Sequence, residues 1–346
     1  MKNQRKWIFD VLFLVLVMGL TVYGLFHSRD LGQLKELLGS ANWRWWLAGL
    51  AMVVLFILGE SLVLHDVMRT LHTPHRLTHC FLYSFIGFFF SCITPSAGGG
   101  QPAQVYFMKK DGIPAAVTVP VLMLVTITYK LVLVCYGLAV FLIRPPEIMA
   151  ALEPVMGWCY LGLGLNVAFV SLYLLLVFCP RIVERFLMMC IRGLEHIRPR
   201  GKQQKRMESL EHWMRKYRDV ARCFQHHWGM ILRVMVLTIL QRSILFAVTW
   251  MTMRSFGLSE TGLVTVMALQ AMISMGTDLL PLPGGMGASE TMFMQIFPAV
   301  CGSKLTLPVL MVSRGISYYG QLLISAGFTG AAAFCLGTHK REEEEK

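Results

Sequence analysis

Two stretches decide how this chain is read: Ile93-Thr94-Pro95-Ser96-Ala97-Gly98-Gly99-Gly100-Gln101-Pro102 and Leu280-Pro281-Leu282-Pro283-Gly284-Gly285-Met286-Gly287. They share the pattern Pro-x-x-Gly-Gly, at Pro95 and at Pro281. Each interrupts an apolar run. Before the first lies Phe81–Ile93 and after the second lies Ala288–Val300, both shorter than the ~20 residues that cross a bilayer as a helix. Backbone that leaves the helix at membrane depth is tolerated only where protein buries it or it lines a wet cavity. The two stretches are therefore expected to be tips of re-entrant hairpins, one in each half of an inverted repeat. Two ordinary Gly-Pro loops are the plainer alternative.

Working outward, five longer apolar runs read as full spans: Trp45–Leu64, Ile113–Ile143, Gly157–Cys179, Trp228–Met253 and Leu307–Leu336. Trp7–Phe26 reads as a sixth, too long for the apolar core of a signal peptide. The expected fold is an all-α polytopic membrane protein of about six spans plus two broken-helix hairpins. It forms a single membrane domain over residues 1–346, with a basic segment at 180–227 and a charged tail at 338–346. Composition agrees: 55% of the 346 residues are apolar and 15% charged, against ~25% charged in soluble domains. Mean hydropathy is +0.56. The net charge of +12 is then topology and anionic lipid rather than nucleic acid.

Lys and Arg set an expected orientation. With both termini in the cytoplasm and both hairpins returning to their own side, 22 basic residues lie inside and six outside, as the positive-inside rule requires. The segment 180–227 places Met207, Leu210, Met214, Tyr217, Ala221 and Phe224 at helical spacing. That predicts an amphipathic helix in the headgroup layer.

The chemistry is expected at the tips. Glycines allow close backbone approach, and helices restarting after Gly100 and Gly287 would offer N-terminal N–H groups to an anion. Buried ionisable residues are the second signal: Glu60, Lys130, Arg242, Asp278, Glu290 and Arg314, each costing ~2.5–3.5 kcal/mol on insertion scales. They either pair as three structural salt bridges or face a headgroup. In the second case Arg242 and Arg314 suit phosphate, and Asp278 and Glu290 suit an amine. Glu60 and Arg233 sit near span ends and would snorkel. The candidate headgroup site is therefore Gly98, Gly99, Gly100, Gln101, Lys130, Arg242, Asp278, Gly284, Gly285, Ser289, Glu290 and Arg314. No catalytic residue, metal site or cofactor is expected. The nine cysteines form no Cys-x-x-Cys pair. No His is expected within a span to serve Ser289 as a base, and Asp111-Gly112 stands alone. His65, His72, His75 and His79 read as a titrating loop.

The tips, with Tyr106, Lys110-Asp111-Gly112-Ile113 and Gly287-Ala288-Ser289-Glu290, resemble the lysylphosphatidylglycerol synthetase transmembrane-region family, the flippase domains of multiple-peptide-resistance-factor proteins, over nearly the whole chain. The resemblance implies movement of lipids between leaflets of the cell membrane, notably lysylphosphatidylglycerol, and protection against cationic antimicrobial peptides. It maps the family's glycine tips, its Glu and its Arg onto Gly98–Gly100, Gly284, Gly285, Glu290 and Arg314. Where many members carry an acidic residue and Glu-Arg, this chain has Gln101 and Thr128-Tyr129-Lys130. Ten residues follow Leu336, so the expectation is a lipid transporter without a soluble aminoacyl-transfer domain. Its partners would be membrane phospholipid and a separate lipid synthase. Transport of a polyprenyl-phosphate-linked intermediate, and lipid presentation to that synthase without transport, remain open alternatives.

Overall fold

The computed structural model describes residues 31–73, 76–94, 97–197 and 203–330. The expected first span at Trp7–Phe26, the charged tail, Pro95, Ser96 and His75 lie outside them. The described residues are helical, with no strand among them. Five helices are long and apolar enough to cross a membrane, one for each span expected after residue 30. A short α1 (Leu31–Ser40) precedes α2 (Trp43–Thr70). The other spans are α5 (Ala115–Ile143), the continuous pair α6 (Pro146–Leu152) and α7 (Met156–Phe178), α10 (Trp228–Ser255), and α13 (Pro298–Arg314) with its extension to Gly330. The chain is a multi-pass membrane protein.

α2 and α10 run together along their lengths. Small residues bring them close: a Cβ at Gly59 would stand 3.0 Å from Gln241. Their ends are tied as well. The Asn42 side chain caps α2 at the N–H of Arg44, the Asn42 N–H donates to the Ser255 carbonyl at 2.9 Å, and Trp46 Nε1 donates to Ser255 Oγ at 3.0 Å. At the other end Arg233 grips Asp66 through Nε and Nη2, at 3.1 and 3.2 Å. Arg233 is therefore paired rather than snorkelling.

The two interrupted segments have the same form. α3 (Leu77–Ile93) and α4 (Gly100–Lys110) flank the first break; α11 (Leu263–Thr277) and α12 (Ala288–Ile296) flank the second. α3 packs on α4, and α11 on α12. α3 also touches the second tip, where Tyr318 Oη donates to the Cys92 carbonyl at 2.8 Å. So the two breaks meet. A third close approach holds α7 to α11: a Cβ at Gly162 would lie 2.3 Å from the Met275 carbonyl oxygen, and Asn166 Nδ2 donates to the Gly162 and Met275 carbonyls at 2.8 and 3.2 Å.

The basic segment forms α8 (Pro180–Ile197) and α9 (Gln203–His226). The α9 face is corrected in its partner. Met214, Tyr217, Ala221 and Phe224 are fully buried against the bundle, chiefly α5, and Tyr217 Oη donates to the Leu176 carbonyl at 3.1 Å. Protein, not headgroups, covers that face. The exposed apolar face belongs instead to α8, through Ile182, Phe186 and Met189.

Candidate functional site

A cavity of about 540 Å³ opens between the two breaks and the spans α2, α5, α10 and α13. Nine of the twelve candidate residues line it: Gly98, Gln101, Lys130, Arg242, Asp278, Gly284, Gly285, Ser289 and Arg314. Gly99, Gly100 and Glu290 do not.

The glycines serve local geometry. Gly284, Gly285 and Gly287 have φ of 57°, 66° and 85°, a region costly for residues with a Cβ. A Cβ on Gly284 would also sit 2.0 Å from the Tyr318 ring. Gly100 packs against α3: its Cβ would lie 2.1 Å from Ser91 Oγ and 2.6 Å from the Gly87 carbonyl oxygen. The Gly99 N–H is taken by Thr94 Oγ1 at 2.8 Å. Close approach at Gly99 and Gly100 is therefore to α3 and its end, not to a ligand.

The expectation of an open helix N-terminus after Gly287 is corrected too. Glu290 caps its own helix. Its Oε2 accepts from the Gly287 N–H at 2.6 Å and from Ser289 Oγ at 2.9 Å, and its Oε1 meets Arg314 Nε at 2.9 Å. A capping carboxylate of this kind consumes the positive end of the helix. Arg314 Nη2 reaches the Gly284 carbonyl at 3.4 Å, so one ion pair staples the tip to α13.

Of the three imagined salt bridges, two form. Lys130 pairs with Asp278, joining α5 to the end of α11, and Arg314 pairs with Glu290. Asp278 and Glu290 are thus committed to protein cations. The third pair does not form. Arg242, 3% exposed, donates through Nη1 to Tyr129 Oη and lies over that ring, its Cζ 3.8 Å from the centroid. Among the described residues no carboxylate pairs with it, and its Nε and Nη2 have no hydrogen-bond partner. Nε and Nη2 form the side-on fork of a guanidinium, the edge that Arg233 uses on Asp66. In Arg242 the same fork is buried and unpartnered, on a guanidinium held by Tyr129. Glu60 is its opposite number. It lies well inside α2 and lines the same cavity, so the expectation that it snorkels is corrected. Its Oε1 accepts from Gln104 Nε2 at 3.1 Å.

Sequence reasoning missed Tyr129, although a Tyr beside a buried Lys was a usable signal, because a buried hydroxyl must find a partner. Gln104 was legible as a neutral hydrogen-bonding group just after the first tip, but its partner Glu60 was not. Two smaller corrections concern the histidines and Asp111. His65 lies within the span α2, with its Nδ1 buried and unbonded. Asp111 does not stand alone: it accepts from Tyr83 Oη and meets His79 Nδ1 at 3.0 Å. No group of three His, Cys, Asp or Glu side chains suited to a metal occurs among the described residues.

Residues 7–325 match the family model described as lysylphosphatidylglycerol synthase TM region. No curated protein matches the chain.

Proposed function

This chain belongs to the lysylphosphatidylglycerol synthase transmembrane-region family, and from that premise of a membrane lipid-related role we propose that it moves a phospholipid between leaflets, with the headgroup carried in the cavity between the two breaks. The observation that carries the reading is Arg242. A buried guanidinium on the wall of a membrane cavity, its Nε and Nη2 without a hydrogen-bond partner, is matched to a phosphodiester, which accepts both N–H groups at once. The remaining charge without an ion-pair partner on the cavity wall, Glu60, suits an amine. Together they fit an aminoacylated phosphatidylglycerol better than a polyprenyl phosphate, which carries no amine. The paired groups, Lys130 with Asp278 and Arg314 with Glu290, shape the walls. No covalent bond of the lipid is made or broken in this reading, and the chain is proposed as a carrier rather than a lysyltransferase.

The test is a leaflet-resolved assay in proteoliposomes with lysylphosphatidylglycerol, phosphatidylglycerol and phosphatidylcholine. Lysylphosphatidylglycerol should exchange leaflets fastest. Arg242→Gln should slow it at least tenfold, since a charge-assisted fork is worth ~1.5–3 kcal/mol per bond and ~1.4 kcal/mol is a factor of ten. Equal rates for all three lipids, or unaltered transport by Arg242→Gln, would refute the headgroup assignment.

A further inference from the structure

Glu60 is what the ion-pair accounting leaves over. Asp278 and Glu290 each hold a cation; Glu60 holds none among the described residues. Its contact is a neutral amide, Gln104 Nε2 at 3.1 Å, and that amide is locked. The same Nε2 donates to the Tyr83 carbonyl at 3.2 Å, and a Cβ at Gly87 would lie 2.4 Å from it. The amide can orient the carboxylate but cannot cancel its charge. None of the other charged and titratable groups on the cavity wall pairs with it. Lys130 and Arg314 have their carboxylates, Arg242 is held on Tyr129, and the hydroxyl of Tyr318 is spent on the Cys92 carbonyl. Tyr173 and Cys92 complete the set and bring no positive charge.

A carboxylate lining a cavity within the membrane must be neutralised while the cavity is closed to water. In the loaded protein the substrate's ammonium does this. In the empty protein no side chain of the wall does. We infer that Glu60 is the proton-exchanging carboxylate of the transport cycle, binding the lipid's ammonium on the loaded leg and a proton on the return leg. The inference rests on the reading that the cavity carries an amine-bearing phospholipid. Its chemistry is one reversible O–H bond: a proton from water adds to a carboxylate oxygen on one side and returns to water on the other. Ammonium and proton exclude each other at Glu60, so one proton travels against each lipid. Lysylphosphatidylglycerol carries one net positive charge at neutral pH (two amines, one phosphodiester), so the exchange is electroneutral.

The experiment uses the full chain in vesicles containing lysylphosphatidylglycerol, with a pH-reporting dye in the lumen and an amine-reactive probe outside. A one-unit pH gradient should shift the steady-state leaflet ratio of the lipid by about tenfold for one-to-one exchange, toward the more acidic side, and lipid movement should change the lumenal pH. The response should survive a clamped membrane potential. Glu60→Gln should abolish the shift, and Glu60→Asp, which keeps the carboxylate, should retain it at a lower rate. Lipid movement with no response to the gradient overturns the exchange but leaves the transport reading standing. A full shift in Glu60→Gln overturns the assignment to Glu60. Absence of lipid movement under every condition overturns the transport reading and the exchange with it. The wild-type lumenal pH and leaflet ratio decide the matter even if Glu60→Gln fails to insert.

Discussion

Neutralising Glu290 should damage the protein more than neutralising Glu290 and Arg314 together. The Glu290 carboxylate serves three donors, the Gly287 N–H at 2.6 Å, Ser289 Oγ at 2.9 Å and Arg314 Nε at 2.9 Å. In Glu290→Gln the single amide oxygen can serve the two donors on Oε2 or Arg314 on Oε1, not all three. Arg314, whose side chain is 21% exposed, is left with one long bond to the Gly284 carbonyl. Stranding a buried charge in this way costs ~3–5 kcal/mol; losing the helix cap adds about 1 kcal/mol. In the Glu290→Gln/Arg314→Gln pair the stranded charge is gone and mainly the cap loss remains. The expected order of thermal stability in detergent is wild type, then the double variant, then Arg314→Gln and Glu290→Gln, with the double recovering more than half of what the worse single loses. Transport should recover with it, because the pair is architecture around the second break. A double variant that is stable but inactive would place a headgroup on Arg314 and refute the structural assignment. Additive losses would show that the two residues do not act as a pair.

The other expectations are briefer. Arg242→Lys should lower transport about tenfold or more, since an ammonium cannot span two phosphate oxygens and gives up the stack on Tyr129; transport equal to wild type would remove the bidentate argument. Gly100→Ala should destabilise the protein by ~1–3 kcal/mol through overpacking against the Gly87 carbonyl, while Gly157→Ala, with nothing within 4 Å of its Cβ, should be close to neutral; thermal unfolding of both reads the difference. Cysteine labelling in intact cells should reach position 109 only from the cytoplasm and position 304 only from outside, and labelling of position 109 from outside would overturn the hairpin reading.

The spans were legible because their evidence is one-dimensional. Each needs only an apolar run of sufficient length, and the five after residue 30 appear where hydropathy puts them. The two breaks were legible for the same reason: Pro281, Pro283 and the glycines beyond them interrupt the helix wherever they fall. Which side chains converge was legible in part, since an ionisable residue in an apolar run has few places to go but inward. What could not be read was pairing. Lys130 and Asp278 are 148 positions apart, and nothing local distinguishes that match from Lys130 with Glu60. The amphipathic face of α9 shows the same ambiguity. Periodicity reports that a face is buried, but not whether bundle or lipid buries it.

The pairing also gives the two kinds of charge different places in the fold. Both committed acids are at the second break: Asp278 follows α11 directly and Glu290 opens α12. Each is tied to a cation on a span, Lys130 of α5 and Arg314 of α13. These pairs brace backbone held by short turns rather than by a continuous helical ladder, which is where an ion pair contributes specificity as well as energy. The uncommitted charges, Glu60 and Arg242, are on α2 and α10, regular helices that pack together along their lengths and are already tied at one end by Arg233 and Asp66. Evenly distributed structural pairing would have joined Glu60 to Arg242 across that interface. Instead Gln104 and Tyr129 hold the two apart, each with a neutral partner. Neutral partners orient the carboxylate and the guanidinium without forming an ion pair with either, which is what the proposed headgroup role requires of one anion and one cation on a single pair of packed spans.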